Sequence, residues 1–136
     1  MKFLDREATI AQPGFNRWLV PPAALAVHLA IGQIYAYSVF NAPLTKLIGI
    51  TESAAGDWKL TTVGWIFSIA LAMLGASAAM FGTWMERVGP RKAMFVAACC
   101  FSLGFFVSAI GVHTHNLFLL YLGNGVIGGI GLGLGY

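Results

Sequence analysis

Four runs of apolar residues, each about as long as the roughly 20 residues a helix needs to cross some 30 Å of hydrocarbon, fill most of this chain. They run from about Trp18 to Phe40, Leu60 to Met85, Ala93 to Val112, and Asn116 to Tyr136, and none contains Asp, Glu, Lys or Arg. A lipid-exposed backbone must satisfy its own hydrogen bonds, and helices do so within one segment. The predicted fold is therefore an all-α membrane protein of four transmembrane helices, residues 18–136, preceded by a polar tail, residues 1–17.

Composition narrows the function classes. The 136 residues are 58% hydrophobic and 10% charged, where a soluble domain carries about 25% charged residues. The net charge of +3 is not a nucleic-acid footprint, because the bases sit at the ends of apolar runs and not in a stripe. Cys99 and Cys100 are adjacent inside a run, which excludes a disulfide framework and metal-site spacing. The tail is polar and no small-residue cleavage site follows the first run, so that run reads as an uncleaved span. With no Ser/His/Asp set, carboxylate pair or phosphate loop, nothing points to an enzyme, a cofactor or a metal. His113 and His115 form an H-x-H pair that lacks a third ligand.

The connections give an orientation. Lys2, Arg6, Arg17, Arg87, Arg91 and Lys92 fall on one side, against Lys46 and Lys59 on the other, and basic residues are retained in the cytoplasm. The N-terminus is thus expected to be cytoplasmic, with the end of the fourth span returning to that side. Trp18, Trp58, Trp65 and Trp84 lie close to span ends, as interfacial anchors do. Residues 41–60, punctuated by Pro43, Gly49 and Gly56, read as a polar loop or short surface helix.

The connection between the second and third spans is short and highly charged. In "GTWMERVGPRKAM", Gly89 and Pro90 stop one helix before the next begins. Glu86 opposes the macrodipole at a helix C-terminus, which favours a nearby cation or a helix N-terminus as its partner. Gly82 allows another helix to come close. The pattern Gly82-x-x-x-Glu86-Arg87-x-Gly89-x-Arg91-Lys92 resembles the signature loop between the second and third helices of major facilitator superfamily transporters. The resemblance implies that the four spans begin an N-terminal six-helix bundle and that this loop is a conformational latch against the other half. It also implies a bacterial inner membrane location.

"GQIYAYSVFNAPL" and the closing "GGIGLGLGY" are similar to the first and fourth helices of the oxalate/formate antiporter branch. In that branch an aromatic from each helix lines a central site for small carboxylates. Aligned on Pro43 and the final glycine run, those aromatics fall on Tyr35 and Tyr136. The cations that pair with the carboxylate lie in the later half of that family, so the implied partners are a small carboxylate, the lipid bilayer and further C-terminal helices.

His28 is ionisable inside the first span, which makes it a candidate for function. At 100° per residue it shares a stripe with Gly32 and Tyr35, while Gln33 and Tyr37 form a second polar stripe. Only one stripe can face a central cavity, and the resemblance favours that of Tyr35. "GNGVIG" matches a dinucleotide fingerprint in letters alone, since no strand precedes it. The same glycines give small-xxx-small pairs, Gly125 with Gly129 and Gly131 with Gly135, suited to close helix contact or to a hinge, with Asn124 able to bond across. A rival reading is a non-transporting four-span protein that self-assembles through this last helix, which would end without a basic flank.

Overall fold

The structure, a computed structural model, describes residues 4–136. After two short 3-10 turns, Arg6–Thr9 and Arg17–Leu19, the helices are α1 (Val20–Ile31), α2 (Ser38–Leu44), α3 (Leu60–Val88), α4 (Pro90–His113), α5 (Leu117–Leu120) and α6 (Gly128–Gly135). A π-helical segment, Tyr121–Ile127, joins α5 to α6, so Leu117–Gly135 is one span of 19 residues. Among the described residues, three helices are long and apolar enough to cross a membrane, and α1 with α2 makes a fourth if the bent pair is one span. The chain is an all-helical integral membrane protein.

The sequence reads the first span as one run from about Trp18 to Phe40, and the structure shows a break within it. The helix tightens to 3-10 geometry over Gly32–Ile34, opens into turns, and resumes at Ser38 with a bend of 40°. Gly32 has the weakest helix propensity short of proline, and nothing lies within 4 Å of the place its Cβ would occupy. Neither propensity nor packing holds the α-helix there. The span continues to Leu44 through Pro43.

The remaining three spans match the expected ones to within a few residues. Their packing is set by the glycines of the fourth. Helices in lipid gain nothing from hiding apolar surface from one another, so close backbone approach and dispersion decide which faces meet. A Cβ on Gly129 would lie 2.8 Å from the Ala70 carbonyl oxygen, and one on Gly125 3.0 Å from Ile69, both in α3. On the opposite side, a Cβ on Gly131 would lie 2.7 Å from the Phe101 nitrogen, and one on Gly123 2.6 Å from the Gly104 oxygen, both in α4. Each glycine series therefore fits one neighbour.

The fourth span lies between α3 and α4. Its apolar window is 56% buried, against 22% for each of those two. Leu120 and Leu132 of this span, with Ile66 and Val63 of α3, are the fully sealed large side chains among the described residues. The buried Ser77 hydroxyl donates to the Leu74 carbonyl (3.1 Å) and the Ile130 carbonyl (3.4 Å), tying α3 to α6. Asn124 is buried, as a contact residue of this seam should be. The glycine faces that the rival reading reserves for a second copy are filled within one chain.

At the end opposite the charged hairpin, residues 45–59 form a stapled loop rather than a surface helix. The Asp57 carboxylate accepts backbone N–H groups from Ile48 (2.8 Å), Gly49 (3.0 Å) and Ala54 (2.9 Å). Desolvation is the largest single influence on its carboxyl and acts upward, but these donors together with the nearby His115 hold it below the ordinary value. His115 stacks on Trp58 with ring centroids 4.4 Å apart and bonds the Gly56 carbonyl through Nε2 at 3.0 Å. It therefore serves as a loop fastener.

Overpacking a tight contact costs about 1–3 kcal/mol. Gly129→Leu, which drives a side chain into the α3 backbone, is expected to lower unfolding stability in bicelles by at least that amount. Gly75→Leu, where nothing lies within 4 Å, is expected to leave it within about 0.5 kcal/mol.

Candidate functional site

The three residues singled out for substrate come together although they lie far apart in sequence. The Tyr35 hydroxyl donates to that of Tyr136 at 3.1 Å, and the His28 and Tyr136 rings are tilted with centroids 6.1 Å apart. Local geometry explains the convergence. The 3-10 turn after Ile31 advances about 120° per residue instead of 100°, so Tyr35 turns outward towards α6 while Tyr37, two residues on, is buried. The two polar stripes of the first span face different places.

His28 holds its own helix. Its Nδ1 donates to the Ala24 carbonyl at 3.0 Å, since a carbonyl only accepts, and this leaves Nε2 free to accept or take up a proton. The imidazole lines a cavity of about 480 Å³ between α1, Met94 and Gly135. Tyr35 and Tyr136 are 55% and 62% exposed, so no described residue covers this pair of hydroxyls. The trio offers hydroxyl donors and one titratable nitrogen, but no permanent cation.

The charged hairpin has the compact geometry its sequence predicts. Gly89 alone separates α3 from α4, with φ +91° and ψ 159°, a region open in practice only to glycine. It is buried, and a Cβ on it would lie 3.1 Å from the Arg6 Cβ. Lys92 pairs with Asp5 at 2.9 Å. The N-terminal tail thus sits on the loop, a contact that no spacing in the sequence announces. Glu86 and Arg87 are exposed to solvent, and Glu86 forms no ion pair among the described residues. Hydration, not a cation, offsets its unfavourable place at the helix end. Gly82 meets nothing within 4 Å, so the close helix contact expected there is absent among the described residues.

Over 121 residues the chain is 31% identical to the uncharacterised MFS-type transporter YhjX of Escherichia coli, covering 89% of this chain and 27% of that protein. It is 27% identical over 124 residues to the riboflavin transporter MCH5 of Saccharomyces cerevisiae, covering 84% of this chain and 22% of that protein. The similarity supports membership of the major facilitator superfamily (MFS). The chain spans about a quarter of the length of these two relatives. No family model and no solved structure matches it.

Asp5 supplies a pH test of the tail contact. The hydrogen bond from Lys92, then the Lys92 charge, hold its carboxyl below the ordinary value. A lowered folded pKa means the contact is complete above the unfolded pKa and is lost as pH falls through the folded one. Protection of the amides of residues 6–9, measured against their intrinsic exchange rates, is expected to fall across that acid window, and Asp5→Asn is expected to give the same low protection at pH 7.

Proposed function

We propose that this chain is the N-terminal part of a secondary active transporter that moves small organic anions, such as oxalate, formate or other monocarboxylates, by alternating access. Its setting is a bacterial inner membrane with the N-terminus in the cytoplasm. The single observation that carries the substrate class is the meeting of Tyr35, Tyr136 and His28. Two hydroxyls that bond each other can turn to a carboxylate instead, and protonation of His28 at Nε2 would add a charge-assisted donor.

Rocking of helix bundles about a midplane site is the common mechanism of such carriers. In this reading the exposed Arg87 and Glu86, with Gly82, Gly89, Arg91 and Lys92, form a latch whose partner lies in the other half of the transporter. Open space at Gly75 and Gly82, seven residues and two turns apart on α3, suits a further helix. The charge balance also needs that half, because no Lys or Arg lies within these spans.

The test is counterflow of labelled oxalate and formate in proteoliposomes, with this chain joined to the C-terminal helices of a full-length transporter of this type. Tyr35→Phe is expected to lower kcat/KM for the anion about 3- to 10-fold, the value of one lost hydrogen bond. Arg87→Ala is expected to lower the turnover rate about tenfold or more, as loss of a charged contact does. Riboflavin uptake without anion exchange would reassign the substrate to that named for the yeast relative, and wild-type rates in Arg87→Ala would remove the latch role.

A further inference from the structure

The second polar stripe of the first span also leads somewhere. Gln33 and Tyr37 line a cavity of about 190 Å³ together with Phe40, Phe105, Ser108 and Asn124, between the bent first span, α4 and the π-helical segment. Tyr37 is 3% exposed and Ser108 6%. Ser108 Oγ and Gln33 Oε1 are sealed from solvent and have no hydrogen-bond partner among the described residues, and the Tyr37 hydroxyl beside them is met at best by the Asn124 side chain. An unmet buried polar group costs about 1–3 kcal/mol, and native structures seldom tolerate several in one place without a guest that satisfies them.

The chemistry of the wall selects that guest. Hydroxyl and amide groups both donate and accept, and each can rotate or flip towards the cavity. No Asp, Glu, Lys, Arg or His lines it, so an ion placed there would lose its hydration without a counter-charge. The phenyl rings of Phe40 and Phe105 offer apolar contact. Drug-sized ligands occupy pockets upward of about 300 Å³, which leaves room here only for something smaller.

We infer that this cavity is a binding site for a small uncharged molecule bearing both a hydrogen-bond donor and an acceptor, of the primary amide or undissociated carboxylic acid type. It lies on a different face of the first span from Tyr35 and His28 and does not depend on the transport reading.

The π-helix supports the assignment. Such segments are rare and concentrate at functional sites, and this one sets Asn124 into the cavity wall while the Tyr121 hydroxyl anchors it by donating to the Thr62 carbonyl at 2.7 Å.

Propionamide is the probe, with propionate at pH 7 as its charged counterpart, read by saturation-transfer NMR on the 136-residue chain in lipid nanodiscs. The expected result is saturable binding of propionamide, no saturable binding of propionate, and at least fivefold weaker propionamide binding in Ser108→Ala and Gln33→Leu. Helical circular dichroism confirms that each variant is folded, and Ser108→Ala removes a single oxygen. Non-saturable partitioning, equal binding of propionate, or unchanged affinity in both variants would each overturn the site and leave a cavity holding water alone.

Discussion

Close contact between the backbone of a glycine-rich helix and two neighbours is the constraint on which the rest of this structure depends. Lipid removes the hydrophobic drive that would gather four apolar helices in water. What remains is how near the backbones can come, and the fourth span comes nearest because glycines occupy both of its faces. Gly125 and Gly129 meet Ile69 and Ala70, while Gly123 and Gly131 meet Gly104 and Phe101. The seam places Tyr136 at one end, within reach of Tyr35 and His28, and Asn124 at mid-span beside the Gln33 and Tyr37 stripe. One packing decision thereby arranges both candidate sites.

The first span shows the complementary behaviour. No residue of α1 is buried, and the break at Gly32–Tyr37 frees it from a single helical phase. Its second half packs through Ile34, Tyr37 and Leu44 against α3 and the fourth span. A helix loose at one end and fixed at the other suits a moving part.

Much of this was legible in the sequence, for physical reasons particular to each element. Uncharged runs of membrane length can do little except span, so α3, α4 and the fourth span fell where expected. Gly89 before Pro90 marked the hairpin because few other pairs end and start helices in so short a space. The small-xxx-small spacing announced close packing, although Gly125 and Gly131 proved to face different helices. The 40° bend in the first span was hidden, because an apolar run looks the same straight or broken. The seating of Asp5 and Arg6 on the hairpin was hidden too, since a contact between residues some 85 apart leaves no local pattern. Glu86, for which the dipole suggested a partner, forms no ion pair among the described residues and stands in water.

Disulfide trapping of the fourth span against both neighbours probes the glycine seam itself. In a chain with Cys99 and Cys100 replaced by alanine, two cysteine pairs are introduced separately. Gly125→Cys with Ile69→Cys puts Cβ atoms 3.3 Å apart, and Gly135→Cys with Ala97→Cys puts them 3.5 Å apart, both near the roughly 3.8 Å of a natural disulfide. Each pair is expected to oxidise within a single chain in native membranes, at monomer mass. Crosslinks formed only between chains, or only one of the two pairs closing, would contradict a fourth span lodged between the second and third.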